Sequence, residues 1–290
     1  MSTLRRIRVL HLEPTDVCQA SCALCARETD PEFDHTFKHH LDMRKILQVF
    51  DADQIAQLDK MFMCGNYGDP AAGRYTLNIY RTFRKLNASI VLGMNTNGGL
   101  RSPRWWQELG SIFNQAKDYV VFSIDGLEDT NHIYRRGVDW HRLIANAQAF
   151  VKAGGSAHWD MLVYRHNQHQ AEQCQALAQS LGFSWFRAKV SRRGFNDVLQ
   201  SPIGWARPNV VGQKIQCHAL GEQSLYIDAQ GRTSPCCWLG STQSQFVTDF
   251  ESVQQSWHSD TANKICVQTC SVAEGSSSFN RQWQLEVQLC

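Results

Sequence analysis

Apolar and polar positions alternate between two periods along the first two thirds of this chain. "RIRVLHLE" is β-like and ends at Pro14. "MRKILQVFDADQIAQL" follows with helical spacing, its apolar face marked by Ile46, Leu47, Val49, Phe50, Ile55 and Leu58. The alternation then repeats. Strands are predicted at "KMFMCG", "SIVLGMNT", "YVVFSIDG", "AHWDMLVYRHN" and "WFRAKVS". Between them lie helices at "YTLNIYRTFRKL", "PRWWQELGSIFNQA", "WHRLIANAQAFVKAGG" and "QAEQCQALAQSLGF". Pro103 suits the first turn of its helix. Each strand is a nearly continuous apolar run followed by a helix, which predicts a buried parallel sheet of βα units. Six units make a partial barrel or an open doubly wound sheet. In either, ligands sit beyond the carboxyl ends of the strands.

After about residue 214 the pattern changes. "SLYIDAQGRTSPC" predicts a hairpin turning at "DAQG", and "DFESVQQSWHS" a helix. This region is short of apolar residues, so a metal staple would help it fold. The expected organisation is an α/β domain over 1–195, a linker over 196–213 and a small α+β domain over 214–290. "EGSSS" at 274–278 reads as a loop.

Composition narrows the classes. The 290 residues are 43% hydrophobic and 19% charged, ordinary for a globular chain with a core. A formal net charge of +2 argues against nucleic-acid or membrane binding. No apolar run approaches the roughly 20 residues that span a bilayer. The N-terminus lacks a cleavage site and reads as a first strand, so the expected compartment is the cytoplasm. Eleven cysteines in a reducing compartment point to metal ligands or core residues rather than disulfides.

Those cysteines cluster. Cys18, Cys22 and Cys25 fall in one loop after the first strand; Cys217, Cys236, Cys237, Cys266, Cys270 and Cys290 lie beyond 210. Structural zinc normally takes four ligands. Three thiolates on a [4Fe–4S] cube, which ordinarily takes four, leave one iron open. Structural thiols and zinc remain alternatives. Cys64 and Cys174 read as core residues.

CxxxCxxC after the first strand of such a chain resembles the radical S-adenosylmethionine (SAM) superfamily. The resemblance implies a partial (βα)6 barrel. It also implies a [4Fe–4S] cluster on Cys18, Cys22 and Cys25 whose open iron is chelated by SAM, reductive cleavage to a 5′-deoxyadenosyl radical, and abstraction of a substrate hydrogen. Leu24 stands where the family usually has an aromatic. "CGNYGDP" resembles the family's Gly-Gly-Glu motif, with Gly68 and Asp69 in its last two positions and Asp one methylene shorter than Glu. Asn97 lies in the "TNG" that resembles the third-strand signature. Ser123 in "SIDG" matches a serine that contacts SAM, Arg136 in "YRRG" an arginine that pairs with its carboxylate, and Asn167 a ribose contact. Downstream, the chain resembles the SPASM/twitch subclass in its shortened form, which implies one auxiliary [4Fe–4S] cluster on Cys217, Cys236, Cys266 and Cys270. Cys237 would point the other way along its strand, and Cys290 is a possible substitute ligand.

The implied function is oxidation or related C–H chemistry on a small molecule, with an electron donor such as flavodoxin or ferredoxin. The chain starts only 17 residues before Cys18, leaving no room for a leader-binding domain. Modification of a ribosomal peptide is the alternative. A non-catalytic iron–sulfur or zinc protein binding nucleic acid is the alternative from another class. Arg187 and Lys189 share one side of the sixth strand by period two and would bind an anionic substrate or the SAM carboxylate if they face the barrel. His35, His39 and His40 read as a solvated loop, and Trp105 and Trp106 as helix packing.

Overall fold

Six strands lie parallel and in chain order: β1 (Val9–Leu12), β2 (Lys60–Met63), β3 (Val91–Thr96), β4 (Tyr119–Ser123), β5 (Ala157–Val163) and β6 (Trp185–Val190). The architecture is the expected partial (βα)6 barrel. It comes from a computed structural model that describes residues 7–36, 38–191, 193–204, 215–240, 250–257 and 262–270. Cys290, the 274–278 loop and the second half of the expected linker lie outside the described residues. Among those described, no helix is long and apolar enough to cross a membrane.

Period two explains the two faces of the sheet. Leu10, Leu12, Met61, Met63, Phe122 and Trp159 pack into the main core beneath the helices. The intervening positions, among them His11, Asn95, Ser123, Asp160, Arg187 and Lys189, therefore face the concave side. The helices present matching stripes: Ile79, Tyr80 and Phe83 from α4 (Thr76–Leu86), Trp106 and Leu109 from α5 (Pro103–Ile112), and Leu143 and Phe150 from α7 (Trp140–Lys152) are all buried. Trp106 is a packing residue, as expected, its indole N–H donating to Leu100 O.

The first predicted helix divides into α2 (Met43–Leu47) and α3 (Ala52–Ala56). Asp51 and Gln54 form a reciprocal capping box that starts the second helix. The break leaves Leu47 46% exposed although it fits the apolar pattern.

The downstream hairpin forms, but as part of the main sheet. Strand β7 (Ser224–Ile227) pairs parallel with β1, and β8 (Thr233–Ser234) pairs antiparallel with β7. The turn is closed by Asp228, which accepts from Gln230 N and Arg232 N. Gly231 supplies the left-handed step at φ 90°. The resulting order is β6-β5-β4-β3-β2-β1-β7-β8.

Candidate active site

The chain leaves β1 through buried Glu13 and crosses the carboxyl rim of the sheet in the loop that carries Cys18, Cys22 and Cys25. Cys22 is buried and the other two are half-buried. Ala20 N and Asn97 Nδ2 donate to Cys18 Sγ at 3.4 and 3.5 Å. Arg135 Nη1 stands 4.0 Å from Cys22 Sγ, and the Cys25 thiol meets Asn66 O at 3.8 Å. Burial, with Asp69 adding to it, pushes the Cys18 thiol up to about 12. Burial also raises Cys22, against the pull of Arg135. Such thiols give up their protons when a metal takes them. Among the described residues no three His, Cys, Asp or Glu side chains converge on a single metal ion. A four-iron cube gives each thiolate its own iron, so its ligands stand further apart than those of one zinc. The donor chemistry of this loop fits the cube.

"GNYGDP" is held tightly against the cysteine loop. A Cβ at Gly68 would meet Thr15 O at 1.9 Å, and one at Gly65 would meet Gly68 O at 2.0 Å, so only glycine permits these approaches. Glu13 Oε1 accepts from Tyr67 N at 2.7 Å and Gly68 N at 3.2 Å, while Oε2 accepts from Tyr226 OH on β7. Burial pushes the Glu13 carboxyl up to about 7 against these donors. Asp69 N donates to Val17 O. The Asp69 carboxylate accepts from Ala71 N, Thr96 Oγ1 and Asn97 N at 2.7–2.9 Å. Asp69 thus locks the "TNG" turn beneath Cys18, and Asn97 also exchanges hydrogen bonds with Gln19.

The other expected SAM contacts divide. Ser123 ends β4 opposite Asp160 on β5, on the concave face. Arg136 is exposed. Its neighbour Arg135 points inward to Asp125 at 2.6 Å and to Cys22, so the inward arginine lies one residue earlier than expected. The helical turn of α6 (Glu128–Tyr134) ends here, and its phase decides which arginine enters. Asn167 is fully buried, and its amide is consumed within the protein: Nδ2 donates to Asp125 O and Leu162 O, and Oδ1 accepts from Tyr164 N. It ties the rim together, with both amide hydrogens engaged inside the protein. Arg193, after β6, donates to Leu24 O at 3.2 Å and brings a guanidinium to the cysteine loop. Glu13, Asn66, Arg135 and Arg193 were not singled out in the sequence. Only the strand-end position of Glu13 and the paired arginines in "YRRG" and "SRRG" hinted at them.

His39 Nδ1 pairs with Asp16 Oδ2 at 2.6 Å and the His40 backbone bridges to Thr15, so these two histidines brace the rim, while His35 is exposed.

The downstream cysteines gather beside β8. Cys217 precedes α9 (His218–Gly221), Cys236 follows β8, and Cys266 and Cys270 lie one turn apart on α11 (Lys264–Cys270). Gln216 N donates to Cys270 O at 2.8 Å. Burial raises the Cys236 thiol well above the usual range, and Cys237, Cys217 and Cys270 raise it further. Cys266, also raised by burial, feels Cys217. Cys266 packs with Leu239 and Val253, the latter on α10 (Phe250–Ser256), in a small separate core. All ten described cysteines are free thiols.

A profile of the Radical SAM superfamily matches residues 12–176. No curated protein matches in sequence. Among solved structures, SuiB of Streptococcus suis bound to S-adenosylmethionine superposes with a TM-score of 0.58 at 14% identity, covering 88% of this chain and 66% of SuiB. SuiB bound to the precursor peptide SuiA gives 0.56 at 15% identity, over 88% of this chain and 65% of that one. Native anSMEcpe with bound AdoMet gives 0.55 at 13% identity, over 79% and 74%. The chain thus spans just under two thirds of the length of SuiB.

Proposed function

The chain belongs to the Radical SAM superfamily, and on that premise we propose that it binds a [4Fe–4S] cluster on Cys18, Cys22 and Cys25 and cleaves SAM reductively. The observation that carries the proposal is the three-thiol loop on the carboxyl rim, with Asn97 and Ala20 donating to Cys18 Sγ. When bound, the cluster supplies the electron that breaks the carbon–sulfur bond of SAM and frees a 5′-deoxyadenosyl radical. The protein's task is to position. Gly68 and Asp69 set the backbone that receives the SAM amino group. Ser123 lines the concave face. Arg193 is the guanidinium for the SAM carboxylate, a role its planar fork suits. Arg135 offsets the negative charge of the Cys22 thiolate. Flavodoxin or ferredoxin is the electron donor, in the reducing cytoplasm that such thiols require.

Cys217, Cys236, Cys266 and Cys270 hold an auxiliary [4Fe–4S] cluster in this reading, in a twitch-like domain spanning 214–290. Support comes from the mutual electrostatic influence of these thiols. A fully ligated cluster cannot chelate substrate. It can accept the electron a substrate radical must lose to become an oxidised product. The substrate is a small molecule undergoing dehydrogenation or related C–H chemistry. The second reading, modification of a ribosomal peptide, is favoured by the likeness to SuiB with its precursor peptide bound.

The test is anaerobic reconstitution followed by reduction with SAM. The wild type should form 5′-deoxyadenosine, and the triple Cys18→Ala/Cys22→Ala/Cys25→Ala variant should lose about four irons and all of that product. Continued SAM cleavage by the variant would refute the assignment. A wild type holding zinc at the second group, or only one cluster, would refute the auxiliary site.

A further inference from the structure

We propose that the rim beside Ser21 is a docking face for an acidic one-electron carrier of the flavodoxin kind, formed by Arg74, Arg101, Arg136 and Arg142. The inference rests on the reading above and deepens it, by locating on this chain the surface through which the electron arrives.

Three loops meet at this face. Of the three residues between Cys18 and Cys22 only Ser21 is exposed, and its backbone N–H donates to Arg136 O at 3.0 Å. A Cβ at Gly99 would meet Gln19 Nε2 at 2.8 Å and Val138 Cγ1 at 3.0 Å. The loop after β3 therefore touches both the cysteine loop and the loop that enters α7. Two residues on, Arg101 lies at φ 68°, in the left-handed region that arginine seldom adopts. Its Nε donates to Ala71 O at 2.6 Å and its Nη2 to Gly73 O at 3.1 Å. These carbonyls fix the guanidinium without cancelling its charge. A cleft of about 570 Å³ opens between Arg101, Pro103, His141 and Arg142.

All four arginines are exposed. Among the described residues none of them is ion-paired with a carboxylate. Asp16, Glu128 and Asp139 border the face and are already engaged: by His39 at 2.6 Å, by His141 at 3.1 Å and by the backbone N–H of Arg142 at 2.6 Å. His40 records the sign of the local field. Burial lowers its imidazole, and Arg74, Lys45 and Arg101 lower it further against Asp16. Guanidinium groups spread around an exposed loop suit the acidic face of a protein better than a small anion, which needs them to converge. Such a face steers encounter and sets orientation. Each encounter moves one electron. The carrier is oxidised by one, and the electron passes by Ser21 to the cluster proposed on Cys18, Cys22 and Cys25, where the proposed cleavage of SAM consumes it.

The test is calorimetric titration of flavodoxin into the anaerobically reconstituted, SAM-bound chain at low and at physiological salt. Wild type should bind, and more weakly as salt rises. Arg142→Glu should weaken binding about tenfold or more, because the reversal sets like charges against each other. Lys152→Glu, ten residues or about 15 Å further along α7, makes the same change in net charge and should bind like wild type. With flavodoxin as reductant, 5′-deoxyadenosine formation by Arg142→Glu should fall with the affinity; with dithionite it should match wild type. The docking face is overturned if flavodoxin does not bind wild type, or if Arg142→Glu binds like wild type. It is overturned equally if Lys152→Glu weakens binding as much as Arg142→Glu, which would leave net charge as the cause, or if Arg142→Glu loses its dithionite-driven activity. The two levels separate on the wild type. Dithionite-driven cleavage without flavodoxin binding overturns the docking face alone. Flavodoxin binding that Arg142→Glu weakens, without any cleavage, overturns the broader reading while the docking face stands.

Discussion

The side-chain amide of Asn66 donates to the backbone carbonyl of Cys237 at 2.7 Å, across 171 positions of sequence. The same residue receives the Cys25 thiol on its own carbonyl at 3.8 Å. One asparagine thus touches both cysteine groups. Asn66→Ala removes a hydrogen bond worth about 0.5–1.5 kcal/mol and leaves the Cys237 carbonyl without that donor. The expected outcome is faster amide hydrogen exchange across β7 and β8, with β4 to β6 unaffected. Unaltered exchange in the hairpin would show that other contacts alone hold it to the rim.

Asp69 links three backbone and side-chain donors beneath Cys18. Asp69→Ala leaves Ala71 N and Asn97 N without their acceptor, at about 1–3 kcal/mol for each buried group. SAM affinity should fall roughly tenfold or more, alongside a lower melting temperature. Asp69→Asn restores an acceptor oxygen and should recover part of the stability. A variant that melts lower yet binds SAM normally would make this carboxylate a brace for the "TNG" turn alone.

Arg135 and Arg136 are adjacent and should behave oppositely. Arg135→Ala strands the buried Asp125 carboxylate, and breaking such a pair costs about 3–5 kcal/mol. Arg136 is exposed, and Arg136→Ala should lie within about 0.5 kcal/mol of wild type. Urea unfolding of the two variants checks the assignment, and equal effects would contradict it.

Glu13 makes stability depend on pH with a definite sign. Burial raises its folded carboxyl from 4.5 to about 7. The folded state therefore holds this proton more tightly than the unfolded chain. The stabilisation is complete below pH 4.5 and is lost as pH rises to about 7. The contribution is on the order of 3 kcal/mol. Glu13→Gln carries no titrating proton, so its unfolding free energy should lack this fall between the two values. Parallel pH profiles for wild type and variant would show that Glu13 titrates normally.

Much of the site was legible in the linear chain because its signals are local. CxxxCxxC specifies one loop, the glycines of "GNYGDP" mark close backbone approaches, and period two in "WFRAKVS" assigns Arg187 and Lys189 to one face. The strands were legible for the same reason: continuous apolar runs followed by amphipathic helices leave a parallel sheet as the way to bury both faces. What local pattern could not decide was phase and partnership at the rim. Arg135 rather than Arg136 enters because α6 ends where it does. Asn167 is buried because the backbone of Asp125, Leu162 and Tyr164 converges on its amide. Asp160 is an ordinary strand residue until β6 lies beside it and two cations share its carboxylate. The hairpin was readable as a hairpin, but its place against β1 depends on backbone pairing at a sheet edge, which side-chain periodicity does not encode. Tertiary contact alone places Tyr226 on Glu13 and Asn66 on Cys237, so it is the fold that brings Cys237 to the residue that also meets Cys25.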